Sequence, residues 1–157
     1  EEVVDAWFDR ADAALLAAAE PDESRDADPR AQLARLLMAW FEALAPHRRV
    51  TRQMILGKLE PGHVHYQIAG LLRVSRTVQW LREAAHRDAT LPWRALEESA
   101  LTAIYLAAFW RFLCDESPGF AATRALLERL LDGAGRLAQT FGPLFGYRPA
   151  PGARPIA

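Results

Sequence analysis

The chain has 157 residues, of which 51% are hydrophobic and 25% charged, and this composition is typical of one globular domain with its own core. Its formal net charge is -1 and its pI is about 6.5. Because the basic residues are spread through every segment, the pattern excludes a concentrated basic surface for nucleic acid, and we do not expect these residues to bind DNA directly.

Cysteine content and hydropathy indicate the cellular compartment in which the protein is expected. Cys114 is the single cysteine, which excludes an internal disulfide and a multi-cysteine metal site. No apolar run reaches the roughly 18 residues that a membrane span requires, and the N-terminus lacks a signal-peptide pattern. We therefore expect a cytoplasmic protein with no stable membrane association. Since the chain begins at Glu1 without a methionine, we also expect a segment upstream of it.

The residue pattern predicts an all-α fold. Ala, Leu, Arg and Glu outnumber Val, Ile and Thr, and no window alternates as a strand does. Prolines at helix starts and between helices divide the chain into six helices, which we predict to form a bundle. The second helix begins with Asp28 as its N-cap and Pro29 as its first helical residue. The predicted helices are approximately 2–19, 29–45, 47–59, 63–86, 92–114 and 118–141. They form one domain, 1–141, followed by an irregular Pro/Gly-rich tail, 142–157.

The fifth predicted helix is apolar around almost its whole circumference. Between residues 100 and 113 only Thr102 and Arg111 interrupt the apolar residues, and a helix that is apolar all round must be covered all round. The sixth helix is also apolar over more than one stripe. We interpret the pair as a two-fold, four-helix interface of a homodimer. The residues predicted for it are Leu101, Leu106, Trp110, Leu113, Leu127, Leu130 and Leu131. The alternative is that the fifth helix is the central core helix of a monomer.

Large aromatic side chains predict a ligand pocket among helices two to five. Rings with polar tips and an adaptable thioether are typical of a cavity for a mostly apolar small molecule. The residues predicted to line it are Trp40, Phe41, Met54, Tyr66, Trp80, Tyr105 and Phe109. The alternative for each of them is an ordinary place in an aromatic core.

The sequence gives little support for metal binding or catalysis. His63 and His65, with His86, are candidate metal ligands. However, a His-x-His pair on a helix directs its two rings to different sides, which does not favour a shared metal ion. Glu97 and Glu98 likewise diverge on a helix and are expected to be solvated or paired. We therefore predict no metal, no cofactor and no enzymatic activity.

The order of helices resembles the C-terminal domain of TetR-family transcriptional regulators. The match comprises an N-terminal helix, an acidic loop, a second helix that bears Trp40, a short third, a long fourth and two apolar helices, and it covers residues 1–141. The resemblance implies a ligand-binding and dimerisation domain of a repressor that senses a hydrophobic effector. It also implies that DNA is bound only through an N-terminal domain absent from this chain, with the first helix as the link.

A more local pattern, from residue 78 to 134, is similar to lipid-binding proteins of coenzyme Q biosynthesis, which share that fold. The matching residues are Trp93, Arg94, Ala100, Leu101, Ile104, Tyr105, Asp115, Ser117, Pro118, Phe120 and Thr123. This second resemblance implies the alternative function, a lipid-binding accessory protein of ubiquinone biosynthesis. The chain departs from that family in the tail, where glycines and prolines exclude a membrane-touching helix.

Overall fold

The computed structural model describes residues 2–19, 28–58 and 93–145, and five α-helices lie in those ranges. They are α1 (Glu2–Ala18), α2 (Pro29–Leu44), α3 (Arg48–Lys58), α4 (Trp93–Leu113) and α5 (Ala121–Phe141). No strand occurs within these ranges, which agrees with the predicted all-α class. The helix predicted over 63–86, with Tyr66 and Trp80, lies outside the described residues, as does the tail from 146 onward.

Helix α2 begins where the N-capping pattern predicts. The side chain of Asp28 accepts a hydrogen bond from the backbone N–H of Arg30 at 3.1 Å, and Pro29 occupies the first turn. The helix ends at Leu44, after which Ala45–His47, with Pro46, form one 3-10 turn that leads into α3. The proline therefore bends the chain between two helices, as its lack of an N–H requires.

Helix α2 lies at the centre of the hydrophobic core. Helices α1, α4 and α5 all contact it. Its buried residues are Leu33, Ala34, Leu36, Leu37, Met38, Trp40, Phe41 and Leu44. They pack with Ala11 and Leu15 of α1 and with core residues of α4 and α5. Two exposed ion pairs also join α2 to α5. Because exposed ion pairs contribute little to the free energy of unfolding, apolar packing is the main stabilising interaction between these helices.

Helices α1 and α2 run antiparallel. Near the start of α1 the ring of Trp7 stacks on His47, with centroids 4.0 Å apart and planes 2° from parallel. In the middle, Asp12 accepts a hydrogen bond from Trp40, and at the end the carbonyl of Ala18 accepts one from Arg35 at 2.8 Å. From Trp7 to Ala18 of α1, the contacted residues run in the opposite chain direction, from His47 just after α2 to Arg35 within it. The two helices are therefore antiparallel.

The turn between α4 and α5 differs from the prediction that the sixth helix begins at Pro118. Pro118–Phe120 form a 3-10 turn, and α5 begins at Ala121. Gly119 and Phe120 have φ values of 60° and 56°, in the left-handed region, so the helix cannot run through them. Ser117, the residue before Pro118, accepts a hydrogen bond through Oγ from the backbone N–H of Ala122 at 3.0 Å.

Candidate functional site

Aromatic rings from α1, α2 and α4 meet in one group at the centre of the bundle. We define the aromatic cluster as Phe8, Trp40, Phe41, Tyr105, Phe109 and Phe112. The ring of Trp40 meets Tyr105 edge-on, with centroids 5.5 Å apart, and meets Phe109 edge-on at 5.6 Å. Edge-to-face and offset contacts of this kind are the favourable arrangements of aromatic pairs.

Four of the residues predicted for the pocket belong to the aromatic cluster. Trp40, Phe41 and Tyr105 are buried and Phe109 is half-buried, whereas Met54 is half-buried on α3. The rings pack directly on one another. A groove of about 560 Å³ lies elsewhere, on the outer side of α4, and none of the predicted pocket residues lines it. Its lining consists of Ala95, Glu98, Ser99, Thr102, Ala103 and Leu106. The pocket of the aromatic cluster stays a prediction.

A buried carboxylate that the sequence analysis did not single out touches the aromatic cluster. Asp12 Oδ1 accepts a hydrogen bond from Trp40 Nε1 at 2.8 Å, and the Asp12 side chain is buried. The signal in the sequence is an acidic residue beside Ala11 on the apolar face of the first helix, one turn before Leu15. Buried polar groups require partners, and here the indole N–H and the Oδ1 atom of Asp12 are partners of each other.

The outer face of α4 is apolar and exposed in the single chain. We define the α4 seam as Leu96, Ser99, Ala103, Leu106 and Trp110, which recur every three or four residues and are all exposed. Leu106 is 44% exposed and Trp110 is 48% exposed. A 3-4 spacing on one face is the pattern by which helices pack as knobs into holes.

Helix α5 carries a second apolar stripe. We define the α5 seam as Leu126, Leu130, Gly133 and Leu137, whose spacing alternates between four and three. The first three are half-buried, whereas Leu137 is largely exposed. A Cβ placed on Gly133 would meet no heavy atom of ranges 2–19, 28–58 and 93–145 within 4 Å, so these residues leave open space at the middle of this stripe.

The residues predicted for the dimer interface fall into two groups. Leu101, Leu113, Leu127 and Leu131 are buried in the core of the single chain, so their side chains are already covered by α2 and its neighbours. Leu106 and Trp110 are exposed, and Leu130 is half-buried. The dimer interface stays a prediction. Of the seven residues predicted for it, Leu106, Trp110 and Leu130 have side-chain surface that the single chain leaves accessible.

Asp115 organises the turn between α4 and α5. Its side chain is fully buried, and its two oxygens accept four hydrogen bonds from the backbone and hydroxyl groups of Ser117 and Thr123, at 2.6 to 2.8 Å. Burial raises the pKa of this carboxyl, but the hydrogen bonds from Ser117 and Thr123 outweigh that effect and hold the pKa well below its usual range.

The same turn accounts physically for part of the pattern shared with coenzyme Q lipid-binding proteins. Asp115, Ser117 and Thr123 are tied together by hydrogen bonds, and the ring of Phe120 packs edge-on against Phe112 with centroids 5.1 Å apart. Each of these residues makes a contact within the turn or between the turn and α4. Their presence is therefore explained without a lipid ligand.

The described residues contain neither a grouped set of metal ligands nor a helix suited to span a membrane. Within 2–19, 28–58 and 93–145, no three His, Cys, Asp or Glu side chains are grouped so that they could hold a metal ion. His63, His65 and His86 lie outside these ranges. None of the described helices combines the length and the apolar character that crossing a membrane requires.

The described helices define an all-α domain with an apolar core and an uncovered apolar face on α4. No family model matches the chain, and no curated protein matches it. Among solved structures, it is similar to the TetR transcriptional regulator from Nitrosomonas europaea ATCC 19718. The two are 47% identical with a TM-score of 0.74, and the match covers 86% of this chain and 72% of that chain. The chain belongs to the TetR family of transcriptional regulators.

This similarity bears on the two functions that the sequence raised. The relative is a transcriptional regulator, which agrees with the first resemblance. The alternative of a lipid-binding accessory protein is not favoured by this similarity, and the turn at Asp115 accounts for part of the local pattern behind it.

Proposed function

We propose that the chain is the effector-binding and dimerisation domain of a TetR-type transcriptional regulator that senses a hydrophobic small molecule. DNA is then bound by an N-terminal unit, and the effector alters how two such units are held. The observation that carries this proposal is the 47% identity to the Nitrosomonas europaea regulator over 86% of the chain.

Homodimerisation is supported by the exposed apolar face of α4. Leaving Leu106 and Trp110 in water forgoes the favourable burial of two large side chains. A two-fold axis beside α4 and α5 brings the α4 seam and the α5 seam of one copy against those of the other, as a four-helix bundle. Gly133 allows close approach at the middle of the α5 seam, because no atom of the described residues fills that space.

Effector binding is supported by the aromatic cluster. Its rings come from three helices, so an apolar molecule inserted beside Phe109, the half-buried member, separates α4 from α2. Such a molecule gains apolar burial against these rings. The effector shifts the equilibrium between two arrangements of the regulator only to the extent that it binds one of them more tightly than the other.

The effector site is tested with 1-aminoanthracene, an apolar fluorophore whose emission rises on burial. We expect saturable binding to the purified protein and weaker binding to Phe109→Ala, which removes an accessible ring of the aromatic cluster. The matched control is Leu16→Ala, which removes an exposed apolar side chain from α1. Absence of saturable binding, or equal weakening by both substitutions, contradicts an effector site at the aromatic cluster.

A further inference from the structure

The hydrogen bond between Asp12 and Trp40 joins α1 to the aromatic cluster inside the core. The donor Nε1 and the acceptor Oδ1 are 2.8 Å apart. Asp12 is 1% exposed and Trp40 is 0% exposed, so water cannot replace either partner. A hydrogen bond shielded from water is costly to break, because a buried donor that loses its acceptor cannot turn to water instead.

This bond makes the positions of the indole ring and of α1 depend on each other. The Trp40 ring meets Tyr105 and Phe109 edge-on, so a molecule that enters between these rings displaces the indole. If Asp12 did not follow, the buried N–H would lose its acceptor, which is costly in a low-dielectric core. The lower-energy response is that α1 moves with the ring.

Phe8 of α1 also meets the Trp40 ring inside the aromatic cluster, with centroids 5.8 Å apart and planes tilted by 40°, but such an apolar contact can shift without removing the partner of a buried polar group. Two further directional contacts of α1 lie outside the aromatic cluster. The stack of Trp7 on His47 lies at the start of α1, where both rings are half-buried. The hydrogen bond from Arg35 to the carbonyl of Ala18 lies at the end of α1 and on an exposed side chain. Of the contacts that join Trp40 to α1, the hydrogen bond to Asp12 is therefore the one whose loss would leave a buried N–H without its acceptor.

We propose that Asp12 is a positioning residue that couples occupancy of the aromatic cluster to the position of α1. The inference rests on the proposed function, because it takes the aromatic cluster as the effector site and α1 as the link to the DNA-binding unit. It adds the particular hydrogen bond that transmits the movement, and with it a residue that changes the response to an effector without contacting that effector.

The experiment is hydrogen-exchange mass spectrometry of the α1 amides, with and without 1-aminoanthracene at a concentration that saturates each variant. In the unmodified chain we expect the probe to change α1 exchange by about fivefold, the scale of one net hydrogen bond. Trp40→Phe keeps a ring but removes the donor, and Asp12→Leu removes the acceptor. Both are expected to lose the response. Asp12→Asn keeps an oxygen acceptor and is expected to retain it.

A matched control is Arg35→Ala, which removes an α1 to α2 hydrogen bond outside the aromatic cluster and is expected to leave the response intact. If the probe binds and α1 responds equally in Trp40→Phe and the unmodified chain, the inference is overturned while the effector site stands. If the unmodified chain does not bind the probe, the proposed effector site fails and the coupling fails with it. Should Asp12→Leu not fold, Trp40→Phe carries the test.

Discussion

Asp115 Oδ2 accepts two hydrogen bonds from Thr123, one from its hydroxyl at 2.6 Å and one from its backbone N–H at 2.8 Å. Thr123 lies in the first turn of α5, so this carboxylate at the end of α4 satisfies a helix N–H that would otherwise be buried without a partner. The negative charge also lies at the positive end of the α5 dipole. The geometry between the two apolar helices therefore depends on one buried side chain.

Asp115→Asn is expected to destabilise the fold by about 2 kcal/mol, since hydrogen bonds to charged groups contribute roughly 1.5–3 kcal/mol. The amide keeps one acceptor oxygen but turns an N–H₂ toward donors of Ser117 or Thr123. Urea unfolding followed by circular dichroism measures the change. Glu116→Gln, at the exposed neighbouring position, is the control and is expected to stay near the unmodified value. Equal stability of the two variants would count against the role of Asp115.

Stability is expected to fall in acid partly through Asp115. Because hydrogen bonds hold its folded pKa well below the usual range, the unfolded chain binds more protons below about pH 4. The contribution of Asp115 is therefore fully present above that pH and is lost as the pH falls toward the folded pKa. The stability difference between the unmodified chain and Asp115→Asn should shrink between pH 6 and pH 3. A constant difference over that range would show that the carboxylate is not held in its charged form.

Asp28→Ala is expected to cost about 1 kcal/mol, the usual effect of removing an N-cap. The lost contact is the hydrogen bond from the backbone N–H of Arg30 to the Asp28 side chain. Asp28→Ser keeps an acceptor at the same position and should recover most of the loss. Thermal unfolding of both variants measures this, and a loss of equal size in both would show that the exposed Arg30 to Asp28 ion pair is what matters.

Helix boundaries could be predicted from the sequence where a local rule sets them. Asp28 and Pro29 fix the start of α2 because capping and the proline ring act within one turn. The start of α5 was missed by three residues, because Ser117-Pro118 also fits a helix start. The left-handed backbone of Phe120 follows from tertiary contacts, among them the packing of its ring on Phe112.

Orientation of a helix that is apolar all round could not be predicted from periodicity. The pattern shows that Leu101 and Leu106 lie on different faces of α4, but both faces are apolar. Which one turns inward depends on the volume that α2 offers, and the structure buries Leu101 and leaves Leu106 exposed. The burial of Asp12 could not be predicted for a related reason. Its hydrogen-bond partner, the indole of Trp40, lies on another helix, and no residue near Asp12 in the sequence indicates that partner.

Self-association through the α4 seam is the central claim, and sedimentation equilibrium at micromolar concentration tests it most directly. We predict that the unmodified chain is a dimer. Leu106→Arg places a charge in the seam and is expected to weaken association at least about 30-fold, as loss of a central anchor does.

Leu16→Arg is the matched control, since Leu16 on α1 is 42% exposed and Leu106 is 44% exposed. Circular dichroism establishes that both variants are folded. A dimer for the unmodified chain and for Leu16→Arg, with a monomer for Leu106→Arg, is the predicted result. A monomeric unmodified chain, or a dimer that Leu106→Arg leaves intact, would contradict it.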